Sequence, residues 1–309
     1  MSNTELHGVI VPVITPINDR EEVDEAAFRK LLRWLIDAGV NGIFVGGSAG
    51  EGPLLVDAQW RRMVEIACDE VGGAIPLLGG AQEMSSRRVC EKVKILREIG
   101  YRHFVVTPTF YITVRTVDEH LRLFGQAKEA GQDMEMIPYN IPQCTGSALS
   151  LETMCELAKR GWARNCKESS GDWLYLKELI RRGKDVGLTV LAGDEPISDD
   201  ALLAGAGGIV PVCANFEPAL FLRLYEAGKR GDRGEMAGLM RRMEVLRESL
   251  LLSGPCWLTG IKYALSAMGM GSGQPISPLE PVDAKRKARI DALMEGRKVR
   301  SNHERHEFV

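Results

Sequence analysis

The sequence lacks an apolar run long enough to cross a membrane. No hydrophobic stretch among its 309 residues approaches the roughly 18–20 residues that a membrane-spanning helix needs. The opening segment, MSNTELHGVI, has neither a basic region nor a long apolar core, so we expect no signal peptide. The formal net charge is −3, which offers no basic field for a nucleic acid. These absences predict a cytoplasmic protein whose partners are small molecules, with no nucleic-acid or membrane partner.

Histidine is scarce, and the cysteines show no metal-ligand spacing. The seven cysteines include no C-x-x-C pair and stand at positions 68, 90, 144, 155, 166, 213 and 256. This spacing favours free thiols in a reducing compartment and argues against a zinc site. We therefore predict no bound metal. The five histidines are His7, His103, His120, His303 and His306.

Short apolar runs alternate with amphipathic helical stretches along most of the chain. The predicted strands cover residues 8–15, 41–47, 75–81, 103–108, 134–141, 163–169, 188–195 and 207–214. Eight strands, each followed by a helix, predict a (β/α)8 barrel, the TIM-barrel fold. An open doubly wound sheet is the alternative, but no G-x-G-x-x-G loop follows the first strand.

The chain divides into three predicted parts. The barrel core covers residues 7–216, and the last barrel helix with a C-terminal helical region covers 217–296. Helices in that region are predicted near residues 217–229, 232–252 and 255–269. The mixed-charge tail, 297–309, is expected to be frayed, with both of its histidines in solvent.

Active sites of such barrels lie at the carboxyl ends of the strands, and there Lys167 is the most informative residue. It lies inside the sixth predicted strand, where a lysine is normally avoided because burying an ammonium group is costly. Burial lowers the pKa of a lysine, and an amine nucleophile needs that shift. A structural lysine paired with Glu168 or Asp194 is the alternative, and position alone leaves both open.

Tyr139 ends the neighbouring predicted strand, so its phenol can face Lys167 across the barrel mouth. A phenol beside an amine can pass protons during imine formation. The alternative is a tyrosine that only covers the core, with its hydroxyl in water.

The stretch VGGSAGEG, residues 45–52, contains G-x-S-x-G, which has two interpretations. A nucleophilic Ser48 would need a histidine base, but His103 begins a strand and His120 lies inside a helix. An anion-binding loop fits better, because small residues allow close approach and the N–H groups of Ser48 and Ala49 can both face a carboxylate. A glycine-rich turn without a ligand remains the third possibility.

Five segments together resemble the dihydrodipicolinate synthase / N-acetylneuraminate lyase superfamily of Schiff-base aldolases. They are GGSAGE (46–51), TPTFY (107–111), YNIPQCTG (139–146), KESSGD (167–172) and AGDE (192–195). The resemblance extends over nearly the whole chain, and the order of the segments at successive strand ends makes the combination specific.

The resemblance implies a (β/α)8 barrel with a C-terminal helical region, assembled as a homotetramer. It implies that Lys167 forms an imine with pyruvate or another 2-oxo acid and that Tyr139 transfers protons. The loop would bind the carboxylate of the acid through Ser48 and the backbone N–H of Ala49. No metal or organic cofactor is implied, because the protonated imine is itself the electron sink.

Other strand ends supply further candidates for substrate binding. Asp194 and Glu195 resemble an acidic pair that meets sugar hydroxyls in the sialate-lyase and sugar-acid-aldolase members, and Ser169 can reach a hydroxyl near the imine. A solvated rim or a helix N-cap is the alternative for the acidic pair. Val210 ends the eighth strand, and Tyr111 follows the fourth.

Three positions depart from the pattern of the family. Ala49 stands where a second hydroxyl, usually of threonine, is common. Phe110 stands where a relay tyrosine is common, so the adjacent Tyr111 replaces it or the relay is broken. Cys144 stands where dihydrodipicolinate synthases carry an arginine for the carboxylate of the second substrate, and a thiol offers no bidentate fork.

The sequence therefore predicts an imine-forming (class I) carbon–carbon lyase that acts on a 2-oxo acid. Pyruvate is the retained half, and the partner is a hydroxylated aldehyde or a sugar acid. One alternative is a 4-hydroxy-tetrahydrodipicolinate synthase or a sugar-acid dehydratase that uses the same lysine. Another is a non-catalytic barrel that binds 2-oxo acids, which Ala49 and Phe110 support. Feedback inhibition by lysine is not expected, because the residues typical of that site are replaced by Asp57, Glu83 and Thr109.

Overall fold

The computed structural model describes the backbone of residues 6–252 and 256–306, and the side chains of these residues as far as residue 295. Eight parallel strands close into a barrel in which each strand pairs with its neighbours in chain order and β8 pairs with β1. The strands are β1 (Gly8–Pro12), β2 (Gly42–Val45), β3 (Leu77–Gly80), β4 (His103–Val106), β5 (Glu135–Asn140), β6 (Asn165–Glu168), β7 (Thr189–Ala192) and β8 (Gly208–Ile209). The predicted (β/α)8 barrel is confirmed.

Helices follow the strands and surround the barrel. Around the barrel these are α1 (Glu25–Asp37), α2 (Asp57–Val71), α3 (Ser86–Ile99), α4 (Val117–Gly131), α5 (Pro142–Thr145), α6 (Leu151–Lys159), α7 (Trp173–Val186), α8 (Ser198–Ala204) and α9 (Pro218–Arg230). The C-terminal helices are α10 (Arg233–Leu250), α11 (Trp257–Ala267) and α12 (Ala284–His306). The short helix α5 was not predicted, because four residues carry no helical periodicity.

Side-chain caps set the starts of several helices. Thr116 and Glu119 form a reciprocal capping box at α4. Asp172 accepts the Tyr175 N–H at the start of α7, and Ser150 accepts the Thr153 N–H at the start of α6. These local polar contacts fix where the chain leaves each strand-end loop, which is where the candidate site lies.

The strands are shorter than their apolar runs suggest. The eighth run was predicted over residues 207–214, whereas β8 has only two residues. Pro211 has no N–H to donate to a ladder, and the chain then turns into a short 3-10 helix, Val212–Asn215. The apolar residues that follow β8 are buried in that turn.

Two apolar layers hold the barrel. One fills its interior and consists of Leu6, Ile10, Phe44, Leu78, Val105, Ile137, Tyr139, Ile141, Leu191 and Val210. The other lies between the strands and the surrounding helices and contains Cys166. Since successive strand residues point to opposite faces, the inward position of β6 next to Cys166 belongs to Lys167.

The C-terminal helices pack on one another and on the barrel. Helix α12 continues to His306, so a helix occupies most of the segment predicted as a frayed tail from residue 297. The predicted solvation of His303 and His306 concerns side chains outside the described ones. Among the described residues, no helix combines the length and apolar content that spanning a bilayer requires.

Candidate active site

Lys167 and Tyr139 are brought together by strand register at the carboxyl end of the barrel. Their Cα atoms are direct partners in the β5–β6 pairing. Both side chains are buried, with exposed fractions of 6% for Lys167 and 3% for Tyr139. Lys167 Nζ lies 4.1 Å from the centroid of the Tyr139 ring. The predicted juxtaposition of amine and phenol is present in the structure.

Lys167 is surrounded by aromatic rings and has no acidic partner within the described part of the chain. Its Nζ lies 5.0 Å from the centroid of Phe44. The carboxylate of Glu168 accepts hydrogen bonds from Asn140 Nδ2 (3.0 Å) and Ser170 N–H (2.8 Å) instead. Burial lowers the pKa of Lys167 to about 7. The structural lysine paired with Glu168 or Asp194 is therefore not what the structure shows.

The Tyr139 phenol lies among small hydroxyl groups. Burial raises the pKa of Tyr139, and the nearby Ser169 and Ser48 hydroxyls act in the opposite direction. A phenol of raised pKa stays protonated at neutral pH and can donate a proton to an oxygen that develops negative charge. Ser169 Oγ is buried and makes no hydrogen bond of standard geometry within the described residues, so it is available to a polar group of a ligand.

The loop after β2 is a tight turn with unused backbone donors. Gly52 N–H donates to Gly47 O (3.1 Å), and Thr15 Oγ1 donates to Gly50 O (2.7 Å). In the described residues, the N–H groups of Ser48 and Ala49 donate to no other protein group. Two adjacent free N–H groups beside a hydroxyl are suited to a carboxylate.

Gly193 leaves the space that Lys167 and Ser169 occupy. A Cβ at this position would lie 2.1 Å from Ser169 Oγ and 2.8 Å from Lys167 Cε. Any side chain at Gly193 would therefore displace the amine or the hydroxyl, which makes the glycine of AGDE a steric requirement of the site.

The two acidic candidates have different surroundings. Asp194 is half-buried near Gly171, and burial raises its pKa. Glu195 is 5% exposed, and its Oε1 accepts the Cys213 N–H (2.7 Å) in the turn after β8. This contact gives Glu195 a structural role beside the barrel mouth, and a further role in binding substrate stays a prediction.

Tyr111 does not contact Tyr139 within one chain. It is 88% exposed and has a φ of 75°, which turns the loop after β4 outward. Phe110 is half-buried, and Cys144 is exposed on α5 close to Ser48 and Lys167. Within one chain, therefore, no tyrosine among the described residues completes a relay to Tyr139.

Phe44 and Gln143 are site residues that the sequence analysis missed. Phe44 packs edge-on against Tyr139, with ring centroids 6.2 Å apart, and forms the floor under the amine. The alternation of G-I-F-V in β2 identifies Phe44 as inward-facing, so this contact was predictable. Gln143 Nε2 donates to Ser169 O across α5 and β6, a contact that no local pattern indicates.

Histidine and metal chemistry find no support in the described side chains. His120 Nε2 is hydrogen-bonded to Ser147 Oγ at 3.1 Å, and His103 lies 3.8 Å from Glu135. Neither histidine is placed as a base for Ser48. The described residues contain no group of three or more His, Cys, Asp or Glu side chains that could hold a metal ion, and the predicted absence of a cofactor stays a prediction.

Comparison with known proteins agrees with this architecture. The model of the dihydrodipicolinate synthetase family matches residues 5–296. A DapA-like lyase of Halobacterium salinarum, itself uncharacterized, is 33% identical over 289 residues, which cover 93% of this chain and 92% of the relative. A 4-hydroxy-tetrahydrodipicolinate synthase of Methanothermobacter thermautotrophicus is 30% identical over 275 residues, with 87% and 95% covered.

A solved structure also matches this chain in fold and family. YagE of E. coli K12, a prophage protein of the dihydrodipicolinic acid synthase family in complex with pyruvate, superposes with a TM-score of 0.86 at 26% identity. The superposition covers 95% of this chain and 98% of that one. The resemblance found in the sequence is confirmed, and the chain belongs to the dihydrodipicolinate synthetase family of carbon–carbon lyases.

Proposed function

We propose that this protein is an imine-forming lyase of 2-oxo acids in which Lys167 is the nucleophile. The environment of Lys167 carries the proposal. Its amine is buried against two aromatic rings, has a pKa lowered to about 7, and lies over the phenol of Tyr139. At pH 7 about half of such an amine is unprotonated, against roughly one in two thousand for an ordinary lysine.

The proposed reaction begins when the carboxylate of the acid docks on the N–H groups of Ser48 and Ala49. Lys167 Nζ then attacks C2, and Tyr139 protonates the departing oxygen so that the carbinolamine loses water to give the protonated imine. That imine withdraws electrons. The Tyr139 phenolate left by the previous step takes the proton of the C4 hydroxyl as the C3–C4 bond breaks, which releases an aldehyde and leaves the enamine of pyruvate. Protonation of the enamine at C3 and hydrolysis return pyruvate and free Lys167, without a metal or organic cofactor.

We propose a hydroxylated aldehyde or a sugar acid as the partner. Ser169 Oγ is a buried hydroxyl with unused hydrogen-bonding capacity, and Asp194 lies half-buried on the same side of the barrel. Cys144 offers no guanidinium to a carboxylate on the second substrate, which disfavours aspartate semialdehyde. The alternatives are the synthase activity named for the Methanothermobacter relative and the dehydration of a sugar acid, both of which would use the same lysine.

The proposed assembly is a homotetramer in the cytoplasm. Tyr111 and Ile112 are 88% and 79% exposed at the tip of the loop after β4. Exposed apolar tips of this kind are typical of surfaces that another subunit covers. We propose that a second copy covers this tip, which would bring Tyr111 towards the site of that copy.

Borohydride trapping with pyruvate tests the proposed chemistry. We expect a stable adduct that intact mass detects and peptide mapping places on Lys167. Lys167→Ala should abolish both the adduct and turnover. Tyr139→Phe should lower turnover about 10²–10⁴-fold, the usual effect of losing a general acid–base group. Failure of pyruvate and of larger 2-oxo acids to label Lys167 would contradict the lyase proposal.

A second candidate function is a barrel that binds 2-oxo acids without turnover. The outward position of Tyr111 in the single chain and the missing hydroxyl at Ala49 favour it. Reversible pyruvate binding, with no product from a screen of hydroxylated aldehydes, would support this second function over the first.

A further inference from the structure

The carboxylate-binding loop of residues 46–52 is tied to the C-terminal helices by a buried ion pair. Glu51, at the end of GGSAGE, bonds through its Oε2 to Lys262 Nζ on α11. The exposed fractions of the two side chains are 0% for Glu51 and 2% for Lys262. The two residues are separated by 211 positions in the chain, so the contact joins the barrel to a region outside it.

The second oxygen of the same carboxylate holds another C-terminal segment. Glu51 Oε1 accepts the N–H of Ile276 at 2.8 Å. Nearby, Ser272 Oγ donates to Ile17 O (2.6 Å) in the loop after β1. The segment between α11 and α12 therefore lies against the loops that follow the first two strands, and Glu51 is its point of attachment to the carboxylate-binding loop.

The backbone of Glu51 connects these side-chain contacts to the part of the loop that carries the Ser48 and Ala49 N–H groups. Glu51 has a backbone φ of 55°, in the left-handed region that residues other than glycine rarely adopt. Its N–H donates to Ser48 O (3.2 Å), and its own carbonyl accepts the Leu54 N–H (2.9 Å). Such a strained conformation persists only where surrounding contacts impose it, and strained residues cluster at functional sites.

Stability alone is a poor explanation of this ion pair. Removing two charges from water is costly, and apolar replacements of buried pairs are often equally stable. Burial lowers the pKa of Lys262 although Glu51 acts to raise it. A charged pair does, however, fix distance and direction more strictly than apolar packing does.

We propose that Glu51 and Lys262 are positioning residues that orient the Ser48 and Ala49 N–H groups towards the carboxylate of the 2-oxo acid. The inference rests on the proposed role of this loop in binding the acid. It assigns the C-terminal helical region a part in substrate binding through α11, although no side chain of α11 takes part in the proposed chemistry.

Four variants separate positioning from simple destabilisation. Glu51→Gln keeps an acceptor for the Ile276 N–H but removes the charge that holds Lys262. Lys262→Met removes the other partner, and Lys262→Arg keeps the positive charge as the conservative variant. Glu83→Gln is the matched control, because Glu83 forms a buried pair with Lys92 on α3 (2.9 Å) and, in the described part of the chain, makes no hydrogen bond to residues 46–52.

The main readout is a ratio of two trapping rates with cyanoborohydride. One rate uses pyruvate, and the other uses hydroxyacetone, a ketone without a carboxylate. We expect Glu51→Gln and Lys262→Met to lower the pyruvate-to-hydroxyacetone ratio about tenfold or more, as expected for a lost charge-assisted contact. Lys262→Arg should restore much of the ratio, and Glu83→Gln should leave it unchanged.

The double variant Glu51→Gln/Lys262→Met should lower the ratio no further than either single change, because the two residues act as one unit. Equal losses with both ketones, or an unchanged ratio, would overturn the inference and indicate a structural role only. A ratio lowered equally by Glu83→Gln would overturn it as well.

Lactate binding separates failure of this inference from failure of the proposed lyase. Lactate carries the carboxylate but cannot form an imine, and calorimetry gives its Kd. If the wild type fails to trap pyruvate but Glu51→Gln weakens lactate binding about tenfold, the lyase proposal fails and the positioning role stands. If the wild type does not bind lactate, the loop is not a carboxylate site and the positioning role is wrong.

Discussion

At the scale of single residues, the surroundings of Lys167 determine what its amine can do. Phe44 and Tyr139 offer ring faces that tolerate a cation, but no carboxylate in the described part of the chain stabilises the charged form. The free energy of the ammonium is therefore raised more than that of the neutral amine. The same residue is thus costly to bury and chemically competent near pH 7.

The lowered pKa predicts the pH dependence of imine formation. Only the neutral amine attacks, so the trapping rate with subsaturating pyruvate and cyanoborohydride should rise about tenfold per pH unit below 7 and level off above it. Tyr139→Phe keeps the ring over the amine, so it should lower the rate but leave the inflection near 7. An inflection at pH 9–10 would show that Lys167 is solvated.

The sequence predicted Lys167 and Tyr139 because each is unusual where it stands. A lysine inside a short apolar strand and a tyrosine at the end of the next strand are visible in the chain itself. The sequence did not decide whether Tyr111 completes the hydroxyl relay to Tyr139. The direction of the Tyr111 side chain depends on its positive φ in the loop after β4. The segment TPTFY contains no glycine, the residue type that predicts a turn with positive φ.

At the scale of elements, the end of β7 limits the geometry of the site. Gly193 lies against both Ser169 Oγ and Lys167 Cε. The closed barrel holds β6 and β7 in fixed register, from Asn165 opposite Thr189 to Glu168 opposite Ala192. A side chain at Gly193 therefore cannot be accommodated by a shift of one strand past the other.

Gly193→Ala should lower the rate of adduct formation with pyruvate at least about tenfold, since the new methyl group displaces Lys167 or Ser169. Gly238→Ala is the matched control, because a Cβ at this position on α10 would meet no described atom beyond its chain neighbours and its own helix backbone closer than 3.8 Å. The control should keep the wild-type rate and gain up to about 1 kcal/mol in the free energy of unfolding. Wild-type trapping by Gly193→Ala would contradict the steric argument.

At the scale of the whole molecule, the tip of the loop after β4 is the feature that predicts assembly. Ile112→Asp places a charge on a tip that we propose another subunit covers, so the proposed oligomer should dissociate to smaller species. Sedimentation velocity measures this change. Val245→Asp on α10, where the wild-type residue is 47% exposed, is the control and should leave the mass unchanged.

Dissociation of both variants, or of neither, would contradict the predicted interface. Tyr111→Phe then tests the hydroxyl separately. If Tyr111 of one copy supplies the relay of another, this variant should keep the assembly but lower turnover.

The barrel itself was predictable from the sequence, but the C-terminal region was only partly so. Alternating apolar runs and helices appear along the chain at regular intervals, so eight β/α units can be recognised locally. Helix α12 was missed because its sequence is strongly charged and shows no clear apolar stripe. The pairing of Glu51 with Lys262 was also missed, because no local pattern links residues 211 positions apart.

That long-range pairing has a consequence for the time at which the protein becomes active during its synthesis. Glu51 is synthesised before its partners Lys262 and Ile276, which follow it by 211 and 225 residues. At roughly 5–20 residues per second, the interval is on the order of 10–45 seconds. Through that interval the nascent chain carries Glu51 without these two partners, so under the proposed positioning role the loop is oriented only after α11 and Ile276 have been synthesised.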